Sequence, residues 1–186
     1  MRIIGIGGTY RPQSSTEQAL RIALASAAAH GAETELLGAE ALDLPMFRPS
    51  ADAVLVPKAL HLIAEVRRAD AFIIGSPGYH GGISGLVKNA LDYLEELRTD
   101  PYPYLHGKAV GLITTGAGWQ ATSTTMAALR DVVHALRGWP TPLGVGVNSS
   151  EVKFNADGTC SSPQVTEQLR IVGEQVAKFA LRGAML

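Results

Sequence analysis

Two hydrophobic periods alternate along this chain. Positions 3–6 (Ile3, Ile4, Gly5, Ile6) form a short apolar run ending at Gly7 and Gly8, as expected of a strand buried on both faces. Ser14, Ser15 and Thr16 then introduce a helical pattern in which Ala19, Leu20, Ala23, Leu24, Ala27 and Ala28 recur at helix spacing, closed by His30 and Gly31. Residues 33–37 read as a second strand and 58–68 as a short amphipathic helix. The run Ala71, Phe72, Ile73, Ile74 predicts a third buried strand over 70–75. A helix follows over 85–97, with Leu86, Val87, Ala90, Leu91 and Leu94 on one stripe. A fourth strand is predicted over 108–114, a helix over 121–137, a fifth strand over 143–147 and a last helix over 164–181. Proline-containing stretches over 44–57 and 99–106 read as loops.

Strands alternating with helices call for a parallel sheet covered on both faces. Five such strands fit the α/β, doubly wound, flavodoxin-like order 2-1-3-4-5, with residues 1–186 read as a single domain. Ligands in such sheets bind at the carboxyl ends of the strands, near the switch point. The loops after strands one, three and four are therefore the candidates.

Composition narrows the partners. The formal net charge is -1, with no basic excess to neutralise a nucleic-acid backbone, so nucleic acid is not expected as the main partner. Cys160 is the only cysteine, which excludes an internal disulfide or a cysteine-rich metal site. The five histidines are scattered, and no metal site is expected. The N-terminal apolar run is too short for a signal-peptide core and no later segment approaches a membrane span, so a cytoplasmic protein without membrane contact is the expectation.

The loop over residues 7–16 joins a buried strand to a helix N-terminus. Free backbone amides and the positive end of the helix dipole make that junction an anion site. Thr9, Ser14, Ser15 and Thr16 add hydroxyls, and Arg11 adds a cation with several donors. The plainer alternative is that a serine only caps the helix while Arg11 is solvated. No Gly-Lys-Ser/Thr triplet is present, and Tyr10 stands where the third glycine of a dinucleotide fingerprint belongs. Cys160 is far from this loop, so a cysteine phosphatase is excluded too. The loop is suited to binding a phosphate rather than cleaving one.

A second glycine-rich loop follows the third strand: Gly75, Ser76, Pro77, Gly78, Tyr79, His80, Gly81, Gly82, Ile83, Ser84, Gly85, leading into Leu86, Val87, Lys88, Asn89, Ala90, Leu91, Asp92. Its backbone is open to close approach by a planar ligand. With the first loop, spelled Gly-Gly-Thr-Tyr-Arg-Pro-Gln-Ser-Ser-Thr, this block resembles the NAD(P)H-dependent FMN reductase family over roughly residues 2–118. The resemblance implies FMN as cofactor, NADPH or NADH as co-substrate, and hydride passed on to a second small-molecule acceptor: free flavin, a quinone, an azo compound or a metal oxyanion. It implies that Thr9, Arg11, Ser14, Ser15 and Thr16 bind the FMN phosphate. Pro77, Gly78, Tyr79, His80 and Gly81 would line the ring and ribityl chain, and Thr115, Gly116, Ala117 and Gly118 would close around the pyrimidine end. Family members are usually homodimers or homotetramers.

Thr9 stands where serine is common in the family, and Gly78 where a bulkier residue is frequent, which predicts looser contacts there. Trp119 either stacks on the ligand or packs on a neighbour; His80 either touches it or is simply exposed. Lys88 and Asp92, four apart, are expected to pair as a surface ion pair. The stretches 49–57 and 100–106 are expected to shape the pocket. No dedicated catalytic acid or base is expected, because the cofactor carries the chemistry. The rival readings are a one-electron flavodoxin carrier, which a net charge of -1 disfavours, a non-catalytic flavin-binding module, and an unrelated phosphate-ligand binder.

Overall fold

The computed structural model describes residues 1–49, 55–155 and 157–183. Strand β1 (Arg2–Gly7) is followed by helix α1 (Ser15–Ala29), β2 (Glu33–Leu37), α2 (Pro57–Arg68) and β3 (Ala71–Tyr79). A two-residue strand β4 (Gly82–Ile83) precedes α3 (Gly85–Asp92) and a 3-10 turn over Tyr93–Leu97. The chain continues through β5 (Ala109–Gly116), α4 (Trp119–Ala135), β6 (Trp139–Asn148) and α5 (Pro163–Gly183). The long strands lie in the order β2-β1-β3-β5-β6, all parallel, and β4 pairs antiparallel with the end of β3. Counting only the five parallel strands, this is the expected flavodoxin-like order.

Alternation along each strand divides the core. Ile4, Ile6, Phe72, Ile74, Val110 and Leu112 face α2, α3 and α4, whereas Ile3, Ala71, Ile73, Ala109 and Ile113 face α1 and α5. Every one of these side chains is essentially inaccessible, and burying an Ile or Phe fully is worth about 1.5–3 kcal/mol. A β-carbon on Gly75 would collide with Leu20 of α1, so a bare strand lets the helix seat closely.

Several predicted boundaries move. β3 runs on to Tyr79, because Ser76, Pro77 and Gly78 stay extended and pair with β5 or β4 instead of opening a loop. β5 reaches Gly116, so Thr115 and Gly116 end a strand. β6 begins four residues early, at Trp139, because it is an edge strand and tolerates Pro140 and Pro142 there. The predicted helix over 85–97 is two pieces: α3 tightens into the 3-10 turn at Tyr93, whose hydroxyl donates to the Pro45 carbonyl at 3.0 Å. α4 begins at Trp119, two residues before its predicted start.

Candidate functional site

Parallel strands place the loops after β1, β3 and β5 along one edge of the sheet, with Gly7 opposite Gly75 and Pro77 opposite Thr115. The first loop leaves β1 through Gly7 (φ 146°) and Gly8 (φ 131°). A β-carbon at Gly7 would lie 2.0 Å from the Gly75 carbonyl oxygen. Glycine at that position is therefore required both by conformation and by the approach of β3.

The loop ends at Ser14, whose Oγ accepts from the Glu17 amide at 3.3 Å and caps α1. This leaves the amides of Ser15 and Thr16 without an intrahelical acceptor, at the positive end of a 15-residue helix. The Thr9 hydroxyl accepts from the Arg11 amide at 3.1 Å, and Arg11 is exposed at the loop tip. The Tyr10 hydroxyl donates to Asp43 at 2.6 Å, a bond that raises its pKa and ties the loop to the segment after β2.

Thr16 and Thr115 occupy a different position from the other hydroxyls. Their Oγ atoms are 2.7 Å apart, and the residues are 1% and 4% exposed. The two hydroxyls share one hydrogen bond. They bridge the first turn of α1 to the end of β5 across the intervening β3, which makes them a brace between the first and third loops.

In the second loop, Tyr79 pairs with Gly82, and His80 (φ 50°) and Gly81 (φ 90°) form the two-residue turn. Both positive angles give the primed turn that matches strand twist. Tyr79, His80 and Gly81 are exposed, whereas Pro77 is buried. The Gly78 backbone lies against α4: a β-carbon there would be 2.7 Å from Thr125 Oγ1 and 2.8 Å from the Ala121 carbonyl. α4 thus fills the space that a larger side chain at Gly78 would need.

The third loop leads into α4 through Gly118, which offers no side-chain cap. The Trp119 and Gln120 amides therefore form a second uncapped helix start beside Ala117 and Gly118. Gly116 accepts from the Ser149 amide at 2.7 Å, which places the turn after β6 alongside. Trp119 is 53% exposed and lines a groove with Met126, Gly144 and Val165.

A cleft of about 340 Å³ joins the first two loops and is lined by Gly8, Thr9, Tyr10, Arg11, Tyr79, Ser84, Gly85 and Leu86. Its volume falls within the range of small-molecule sites. Thr9, Arg11 and Tyr79 meet there. Ser14, Ser15, Thr16, Pro77, Gly78, His80, Gly81 and the four third-loop residues are not among its walls. Ser84, Gly85 and Leu86 had no site signal beyond belonging to the glycine-rich block; Ser84 Oγ caps α3 by accepting from the Val87 amide at 3.3 Å.

Residues 100–106 do not shape this pocket. They enter β5 and so lie at the opposite, amino edge, where Asp100, Tyr102 and His106 line a separate cleft with Arg67 and Lys108. Of the stretch 49–57, residues 50–54 lie outside the described structure. The Lys88–Asp92 pair forms, at 2.5 Å on an exposed face. Asn89 is buried and clamps the 44–47 segment through Leu44, Pro45 and Phe47.

The sequence of residues 1–151 matches the model of the NADPH-dependent FMN reductase family. The chain belongs to that family. An FMN-dependent NADPH-azoreductase of Staphylococcus saprophyticus is 33% identical over 63% of this family member and 60% of its own length. The chain therefore matches about three fifths of that relative. An iron–sulfur flavoprotein of Methanocaldococcus jannaschii is 27% identical over 96% of both chains. A cluster held by several cysteine thiolates cannot form within a reductase-family chain that has one cysteine. The flavoenzyme NAD(P)H:acceptor oxidoreductase of Paracoccus denitrificans has the same fold, with a TM-score of 0.75 over 97% of both chains at 22% identity.

Proposed function

We propose that this chain is an NAD(P)H-dependent FMN oxidoreductase that takes hydride from NAD(P)H and delivers electrons to a small-molecule acceptor such as a free flavin, a quinone, an azo compound or a metal oxyanion. The observation that carries the reading is the joining of the matched family region to a strand-end cleft with a free helix N-terminus. The donors present fit FMN: the Ser15 and Thr16 amides, the Thr9, Ser14 and Ser15 hydroxyls and Arg11 for the phosphate, and the backbone of Pro77, Gly78, Tyr79, His80 and Gly81 for the ring and ribityl chain. Thr16 would contribute its amide, while its hydroxyl bonds Thr115.

When bound, FMN supplies the hydride chemistry. The protein's share is position and charge. Ser14 and the Thr16–Thr115 bond hold the loop that would take the phosphate in place relative to β5. Gly116, Ala117 and Gly118, with the uncapped start of α4, would offer amides and a positive dipole end to the pyrimidine side of the cofactor. Tyr79, at the exposed end of β3, would shield the ring from solvent. No side-chain acid or base is needed for these tasks.

The chain is read as one FMN-binding domain over 1–186, acting in the cytoplasm as a homodimer or homotetramer. Among the described residues no helix is long and apolar enough to cross a membrane. Met46 and Leu60 are exposed and offer apolar area for a second copy. The test is an anaerobic titration of the FMN-loaded protein with NADPH and NADH, followed by addition of each acceptor class. Stoichiometric bleaching of the flavin and reoxidation by at least one acceptor is expected. A flavin that binds but is bleached by neither nucleotide overturns the reading.

A further inference from the structure

Gln18 stands apart among the buried polar residues. It is 8% exposed, and its main-chain amide donates to the Ser14 carbonyl at 3.0 Å. Its side-chain carboxamide has no hydrogen-bond partner among the described residues. The side chains of Ser14, Thr16, Asn89, Thr115 and Asn148, each as buried or more so, all have one. Burying an amide without a partner is costly, so a buried glutamine left unpaired calls for a reason. No fully enclosed side-chain nitrogen or oxygen among the described residues lacks a partner. The Gln18 carboxamide therefore reaches an opening, where water serves it until something else does.

Helix geometry says where that opening is. Side chains on an α-helix lean towards its N-terminus, so Gln18 covers the turn before its own, at Ser14 and Ser15. This is the turn whose Ser15 and Thr16 amides lack an intrahelical acceptor. Glu17 does not set a charge against an anion there, because its carboxylate is drawn one turn onwards to Arg21, at 2.6 Å. The segment after β6 closes over Gln18 from the other side. Phe154 and Cys160 bridge antiparallel, and a β-carbon built on Gly158 would lie 3.9 Å from Gln18 Oε1. Gly158 lies beyond the region matched by the family model, which ends at residue 151. We propose that the Gln18 carboxamide is a further donor to the FMN phosphate, giving an N–H to a phosphate oxygen beside Ser15 while the segment at Gly158 holds the side chain in place. The inference rests on the FMN reading above and extends it to a residue outside the first loop. A carboxamide brings two N–H donors and no charge, so it completes a cradle in which Arg11 is the cation.

Fluorescence titration of the flavin-free protein with FMN, and with riboflavin, which lacks the phosphate, tests this without turnover. Gln18→Leu keeps the volume and removes the donors. It should weaken FMN about 10-fold, as for loss of a hydrogen bond to a charged group, and leave riboflavin binding as in wild type. The thermal midpoint of the free protein should hold or rise, because the leucine removes an amide that has no protein partner. Gln18→Glu keeps the shape and sets a carboxylate beside the phosphate. It should weaken FMN further than the leucine does, by a margin that narrows as salt is raised. Unaltered FMN affinity in Gln18→Leu, or riboflavin weakened as much as FMN, overturns the proposal and leaves the reductase reading in place. FMN binding that responds as expected, in a protein whose flavin neither nucleotide bleaches, overturns the reductase reading and leaves Gln18 assigned. Wild type that binds no FMN overturns both.

Discussion

The two edges of the sheet are built from different materials. At the amino edge, the Arg2 guanidinium meets Glu33, Glu35 and Glu65, and its amide donates to Asp70 at 2.7 Å. Arg68 reaches Glu65 at 3.0 Å, Arg67 holds Asp100 at 2.7 Å, and Lys108 donates to the Val66 carbonyl at 3.0 Å. At the carboxyl edge neutral contacts hold the loop ends: Ser14 on the Glu17 amide, Thr16 on Thr115, and Ser76 accepting from the Ser84 amide at 3.0 Å. One edge fastens strands and helices together with charge, while the other leaves amides and one arginine for a ligand. An ion-pair belt at the carboxyl edge would have satisfied the groups that FMN needs.

The comparison breaks most severely at Gly7. Gly7→Ala forces a β-carbon against the Gly75 carbonyl in a backbone region that side chains avoid. Chemical denaturation should show a loss on the order of 3 kcal/mol or more, with FMN affinity falling in parallel. Arg2→Ala comes next. It leaves Glu65, 5% exposed, with Arg68 as its remaining close cation, and should lower the thermal midpoint by several degrees while FMN affinity holds.

The same pair sets a pH dependence. Burial pushes the Glu65 carboxyl up, but the bond and charge of Arg2 outweigh it and hold the pKa below the ordinary 4.5. The unfolded chain then binds the proton more tightly, so this stabilisation is present above pH 4.5 and is lost as pH falls through the lower folded value. Denaturation midpoints measured from pH 6 downwards should show that acid loss in wild type and a shallower one in Arg2→Ala. The smallest effect on stability is Arg11→Ala. Fluorescence titration should show FMN affinity reduced roughly 10- to 100-fold, as for loss of a charge-assisted bond, with the unfolding midpoint of the ligand-free protein unmoved.

Much of this was legible in the sequence because buried parallel strands are continuous apolar runs. Ile3 to Ile6 and Ala71 to Ile74 announced their strands, and the run Ser14, Ser15, Thr16 the start of its helix. What escaped depended on partners distant in sequence. Pro77 and Gly78 read as loop residues, yet β5 and β4 hold them extended. Pro140 and Pro142 disguised the start of an edge strand, where a missing amide does no harm. The Thr16–Thr115 bridge joins residues 99 positions apart, and nothing local to either threonine predicts it. The wrong edge was assigned to residues 100–106 because a loop's position depends on whether it enters or leaves a strand.

The last strand sets how copies of this chain can meet. Along β6, Pro140 and Pro142 remove two amides, Arg130 donates to the Thr141 and Pro142 carbonyls, and Gln175 accepts from the Leu143 amide. The opposite border, β2, is five residues long and has its two glutamates drawn to Arg2. Both borders are thus discouraged from recruiting a further strand. Copies that associate are left with helices and loops as meeting surfaces, so growth into a continuous sheet, and the fibres it leads to, is disfavoured by the same side chains that finish the fold.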